Sequence, residues 1–264
     1  MSKTNCRIYK YKFFIMSALC LVLPCLINCG LDEYYYLNSP SAVHTTFNSD
    51  DYMQRYFSFL TSESGTNATY INSDAGFIFL GTEVYYKIYN NYSTAYSHYS
   101  KVLSYNSSSS SYSAAADYIL DTLGYKTLRL SYGSYTPLIP ATGTNTQVYI
   151  RLTSYYDEEE YACHICVGSS TYDSSTELTY NGTVVYPRRY INYNYGFDFD
   201  SDDTSNPVPS SGDSDVYYST TSTSSGTWYV ALYAVSLGRD TTYTTSYSNA
   251  IPLGIVPITV DAEN

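Results

Sequence analysis

The sequence predicts a mainly β protein: one elaborated β-sandwich with insertions and a single short helix. Two observations lead there. Tyr fills 36 of the 264 positions while only 14% of residues are charged, and aromatic and β-branched side chains suit the half-buried face of a pleated sheet. Short apolar runs also recur between clusters of Gly, Ser and Asn, which is how strands and turns alternate in sequence.

The first 28 residues stand apart from this pattern. Lys3, Arg7, Lys10 and Lys12 precede an apolar run from Phe13 to Ile27, with no acidic residue among them. A charged block before an apolar block is the layout of an export signal, and the run is shorter than the roughly 20 residues a membrane-crossing helix needs. It ends in Leu26-Ile27-Asn28-Cys29, after which the chain turns at once acidic and tyrosine-rich.

Those four residues resemble the lipobox of bacterial lipoproteins, and the Asn before the cysteine is similar to the looser spirochaetal form. The resemblance implies that residues 1–28 are a signal peptide and that Cys29 carries the lipid and becomes the mature N-terminus. Several acyl chains on one residue anchor a protein stably where one chain holds it only marginally. The polypeptide behind Cys29 then needs no membrane-seeking surface of its own. Residues 29–46 are expected to be a tether and 47–264 the sandwich domain, with insertions over roughly 91–215.

Removing 28 residues and 4 of the 13 basic side chains leaves 236 residues with 9 basic and 24 acidic groups, a net charge of −15. Phosphate binding relies on a basic surface, so a nucleic-acid partner is disfavoured, as is a grip on anionic head groups.

Strands are expected at Tyr56–Leu60, Gly76–Leu80, Glu83–Tyr89, Lys126–Leu130, Gln147–Leu152 and Tyr161–Val167. One segment breaks the period of two. Ala116, Ile119, Leu120 and Leu123 share a helical face, and Gly124 is placed as a stop, so Ser113–Gly124 reads as the helix, behind a Ser107–Ser111 tract. The stretch from Asp198 to Asp215 reads as a loop too polar to pack.

In the C-terminal part Trp228, Val230, Leu232 and Ala234 alternate on one face up to Gly238, and Ser248-Asn249 introduces a last strand, Tyr247–Leu253. This resembles the final two strands of a fibronectin type III domain, and Glu83–Tyr89 is similar to that family's central strand. The resemblance implies an immunoglobulin-like sandwich with Trp228 buried between its sheets. The matched segments lie too far apart for a plain domain of that kind, which is why insertions are expected.

Cys163 and Cys166 form a C-x-x-C pair. In a strand they point to opposite faces about 10 Å apart, beyond the ~7 Å reach of a disulfide. Zinc would need further ligands, and His44 and His98 stand at no ligand spacing. Both cysteines are expected to be thiols, Cys163 facing the core with Ile165 and Val167. The run Asp198–Asp203 alternates carboxylates as calcium loops do, but it lacks the turn Gly and has Pro209 where such loops place a bidentate Glu. A solvated loop is the expectation there, and an exposed turn at Asp157–Glu160.

The sequence holds no phosphate-binding loop, nucleophile elbow or metalloprotease motif. No catalytic residue, metal or cofactor is expected. Two functional classes remain: a cell-envelope lipoprotein, outer-membrane, surface or periplasmic, that binds a protein or glycan through tyrosines, or an envelope-organising structural lipoprotein with no soluble ligand. Tyrosines clustered on loops favour the first and tyrosines confined to strands the second.

Overall fold

Thirteen residues, Phe77–Tyr89, run as one strand through the middle of the protein. In the computed structural model, which describes residues 35–71, 76–107, 112–128, 137–153, 163–168, 175–221 and 226–260, two strands expected at Gly76–Leu80 and Glu83–Tyr89 are joined in it. Gly81 makes this possible: its φ is +131°, and a Cβ there would run into the carbonyl oxygen of Ile139. Glycine lets the strand bend and continue past a one-residue register shift against residues 237–238 of its partner strand.

The strands in chain order are β1 Ser41–His44, β2 Thr46–Phe47, β3 Phe57–Leu60, β4 Phe77–Tyr89, β5 Lys126–Thr127, β6 Ile139–Pro140, β7 Gln147–Arg151 and β8 His164–Val167. There follow β9 Thr176–Glu177, β10 Thr179–Tyr180, β11 Thr183–Val184, β12 Val216–Tyr217, β13 Thr227–Asp240, β14 Thr245–Tyr247 and β15 Ile251–Thr259. One sheet has the order β1-β3-β7-β8-β9, and the other β12-β4-β13-β15-β2, with β5 and β6 on β4 and β14 on β13. A small hairpin, β10–β11, turns at Asn181-Gly182, both at positive φ, as a two-residue hairpin loop requires. Residues 41–46, expected in the tether, supply β1 and the first residue of β2, and one unit extends from Tyr36 onward.

The period of two places the layers. Val84, Tyr86 and Ile88 face one way together with Val230, Leu232 and Ala234, and meet Phe57, Phe59, Val148, Ile150 and Ile165 of the other sheet. This is a sheet-on-sheet core. Tyr85, Tyr89, Ala231, Tyr233, Val235 and Ile255 face the opposite way and form a second core. The centre of β13 is therefore apolar on both faces.

Helices cover that second face. Here the expectation of a single helix is corrected: besides one turn, α1 at Thr66–Thr69, a 15-residue helix α2 spans Tyr92–Asn106. The Asn91 side chain caps it, accepting from Thr94 N–H at 2.9 Å, and Ala95 and Val102 are its buried contacts. Tyr, Ser and Thr are middling or poor helix formers, so packing on the sheet rather than propensity holds it. The helix expected at Ser113–Gly124 is present as α3, Ala114–Asp117, continued by a π-turn over Tyr118–Thr122. Gly124 at φ +65° ends it.

Two further corrections concern packing. Residues 198–215 are not too polar to pack: Phe199 and Asp215 are buried, the second because an arginine neutralises it. Trp228 is half-buried at the rim of the sandwich core rather than between the sheets, since it stands near the start of β13, with its ring centroid 6.5 Å from that of Tyr218. Trp228→Ala is accordingly expected to cost less than the about 3–5 kcal/mol of a fully buried tryptophan, and denaturant unfolding of the variant checks this. The signal region with Cys29, residues 108–111, residues 129–130, Asp157–Glu160 and residues 161–162 lie outside the described residues.

Candidate interaction surface

The C-x-x-C pair is split by its strand as the spacing requires. Ile165 points into the sandwich core. The Cys163 thiol donates to the Leu152 carbonyl at 3.0 Å, and burial, with the charge of Asp198, drives its pKa far above the ordinary thiol range. Burial also raises the Cys166 thiol. Both are free. A thiol that does not ionise is a poor nucleophile and metal ligand. The folded protein is expected to resist iodoacetamide at neutral pH and to take up label at both positions only in denaturant. Rapid native labelling, read by mass spectrometry, would contradict the burial.

Three carboxylates of the acidic run are engaged by donors of the protein itself. Asp198 accepts from the Thr153 hydroxyl. Asp200 accepts from Asp202 N–H at 2.8 Å. Asp203 accepts from Ser205 N–H and from the Asn206 amide, both at 2.7 Å, and these bonds hold its pKa below the usual carboxylate value. Such carboxylates stabilise turns. Among the described residues no three His, Cys, Asp or Glu groups are gathered to hold a metal ion.

The histidines are dispersed. His44 on β1 stacks on Tyr56 with centroids 4.1 Å apart. His164 on β8 has a pKa lowered by burial and by Arg151. His98 on α2 meets the Tyr89 hydroxyl at 3.0 Å through Nδ1, and burial lowers its pKa.

The Tyr89 hydroxyl also meets that of Tyr125 at 2.9 Å, and Tyr125 is hydrogen-bonded to Tyr233. Burial pushes all three phenols well above their usual pKa. They remain neutral donors and acceptors under the helices, and a satisfied buried network of this kind rigidifies what lies above it.

Above it runs a band of rings. Tyr92, Tyr96 and Tyr99 recur at i, i+4 and i+7 along one side of α2, so they are neighbours. Centroids step from Tyr229 to Tyr92 at 5.5 Å, to Tyr96 at 6.0 Å, to Tyr99 at 5.5 Å and to Phe47 at 5.0 Å. Tyr96 is 47% exposed, and no Asp or Glu occurs in α2. The sequence signal was present in Asn91 as a cap and in the spacing of Ala95 and Val102, but low apolar content concealed it.

A second exposed aromatic group lies on the segment after β11, outside any strand. Val185, Pro187 and Arg189 are buried, whereas Tyr186 and Tyr190 are exposed and Arg188 is half-buried between them. Arg188 lies over the Tyr186 ring at 5.6 Å and Lys126 over the Tyr190 ring at 5.3 Å, within cation–π range. Tyr190 N–H donates to the Tyr86 hydroxyl at 2.6 Å.

The inward Arg189 fixes this segment. Its Nε and Nη2 donate to the two carboxylate oxygens of Asp215 at 3.0 and 2.9 Å, and Nη2 also donates to Asp213 at 2.7 Å. The Tyr86 hydroxyl adds a bond to Asp215 at 2.7 Å. The side chains of Arg189 and Asp215 are fully buried. Burial alone would lower the guanidinium pKa, and the bonds and charge of Asp215 reverse that. Paired in this bidentate way, both ions are tolerated in the interior. Comparison with family models, with curated proteins and with solved structures returns no match for this chain.

Proposed function

We propose that the chain is a lipid-anchored cell-envelope lipoprotein, non-enzymatic, that binds a protein or glycan through a tyrosine-rich surface. The observation that carries the reading is the ring band on α2. Its members stand on a regular element backed by a hydrogen-bonded core, and part of each of several rings remains in water. Tyr offers large contact area at small entropy cost with a hydroxyl for hydrogen bonding.

Anchoring rests on the lipobox ending at Cys29, and no helix among the described residues is long and apolar enough to cross a membrane. The order β4-β13-β15 supports a fibronectin type III-like sandwich carrying insertions, because the strands matched to that family's central and last two strands are hydrogen-bonded neighbours. The structural alternative draws on Tyr85, Tyr86 and Tyr89 of β4 and Tyr233 of β13, which are buried core residues.

Two measurements test the proposal. Cys29→Ser is expected to move the protein from the detergent to the aqueous phase in a partition experiment, and unchanged partitioning would remove the anchor. Tyr96→Ser with Tyr99→Ser is expected to shift stability little, within about 1 kcal/mol for partly exposed side chains. Its binding to a glycan array and to isolated envelope fractions should fall at least about tenfold, as loss of aromatic anchors does. Wild-type binding together with a large drop in melting temperature would make the band a packing device and favour the structural alternative.

A further inference from the structure

We propose that the outward strip Tyr186–Arg188–Tyr190, with Lys126 beside it, docks an extended acidic segment of a protein partner. The inference rests on the binding-module reading but assigns a partner chemistry to a face other than the ring band. Charge is the first argument. Only nine Lys and Arg follow Cys29 in a chain that carries 24 acidic residues, yet Lys126 and Arg188 lie on this strip. Arg189 and Lys87 stand behind it, Lys87 donating to the Gly124 and Ser214 carbonyls at 3.2 and 3.1 Å.

The carboxylates nearby are already engaged. Asp213 and Asp215 are held by Arg189, and among the described residues both ion pairs are Arg189's. Arg188 and Lys126 thus meet no carboxylate among those residues, and each is stacked on a ring that leaves its N–H groups to seek an acceptor. Burial and the nearness of Lys126 lower the pKa of Lys87, against the opposing charge of Asp215.

The second argument is repeat length. Burial alternates along the strip from Val185 to Tyr190, the pattern of a stretched backbone, in which outward side chains recur at about 6.6 Å, twice the rise of an extended residue. An extended peptide presents its own alternate side chains at the same spacing, so acidic residues at alternate positions align with Arg188 and with Lys126 at Tyr190. Arginine adds bidentate recognition of carboxylate, and Tyr and Arg are the residue types that dominate binding energy at protein interfaces. Arg189, locked to Asp215, holds the backbone that carries both neighbours, so little ordering is required on binding.

The test uses the full-length protein in detergent with fluorescein-labelled poly-L-glutamate, read by anisotropy at low and high salt. Poly-L-glutamate is expected to bind, more weakly as salt rises. Arg188→Gln with Lys126→Gln should lower its affinity at least about tenfold, and Arg188→Glu should lower it further. Arg239 is the control, since it also lies over a tyrosine ring, that of Tyr243 at 5.0 Å: Arg239→Gln should bind as wild type. Equal thermal melts for all variants show that folding is intact.

Absence of poly-L-glutamate binding overturns the proposal, as does an equal loss in Arg239→Gln. Tighter binding of hyaluronate than of poly-L-glutamate also overturns it, in favour of an anionic glycan. The Tyr96→Ser, Tyr99→Ser protein should bind poly-L-glutamate normally. If envelope binding is lost in that variant and untouched in the strip variants, the docking proposal falls while the binding-module reading stands.

Discussion

Arg189→Ala is expected to destabilise the protein by about 3–5 kcal/mol, the cost of stranding a buried carboxylate. The side chain is fully buried, and so is that of Asp215. Removing the guanidinium leaves Asp215 with the Tyr86 hydroxyl as its remaining side-chain donor in this network, so it must either ionise in a low-dielectric interior or take up a proton. The double variant Arg189→Ala, Asp215→Ala should recover part of the loss, because neither charge is then left alone. Urea unfolding of wild type, both single variants and the double variant measures the coupling. Additive losses would show that the two side chains act independently and would remove the network's role in holding the Tyr186–Tyr190 segment.

The second large effect is one of pH. Glu83 lies within β4, 9% exposed. One carboxylate oxygen accepts from Val84 N–H at 2.9 Å, yet burial dominates over this and over the Leu138 backbone bond and raises its pKa from 4.5 to about 8. In the folded state it keeps its proton across a range in which the unfolded chain has lost it. Stability from this group is therefore complete below about pH 4.5 and is lost as pH rises toward about 8. At about 1.36 kcal/mol per unit, the change over the window is roughly 3–6 kcal/mol. Glu83→Gln has no proton to lose, so its stability profile should lack this descent and cross that of wild type. Parallel profiles from chemical denaturation at a series of pH values would show that Glu83 ionises freely in the fold.

The sequence displayed the sheet-forming segments because their period of two survives in the residue types: Phe57 and Phe59, Val148 and Ile150, Val230 and Leu232 each face the same core. It hid the third layer. The run Val230–Val235 is apolar at every position, which means burial on both faces, but attending to one alternating face left Ala231, Tyr233 and Val235 without a covering element. That cover is α2, whose Tyr and Ser content reads as loop until Asn91 is recognised as a cap. The candidate surface was legible in part. Tyrosine abundance pointed to aromatic contacts, but which rings meet depends on the helix and on the Arg189–Asp215 pair. That pair joins positions 26 residues apart in stretches whose polarity argues against burial.

The central position of β13 also constrains how the chain reaches its folded state. Ala234 pairs with Val84, 150 positions earlier, and Tyr229 with Tyr89, so the ladder at the middle of the larger sheet joins segments with most of the chain looped out between them. Closing so long a loop precedes any return from the contacts it permits, and sheets built on such distant pairings form slowly. Until residues 227–259 have emerged from the ribosome, β4 has only the two-residue strands β5, β6 and β12 beside it and lacks its long partner β13 and, beyond that, β15. A nascent chain that cannot complete its core before its last strands appear remains threadable for most of its synthesis, the state that passage across a membrane requires.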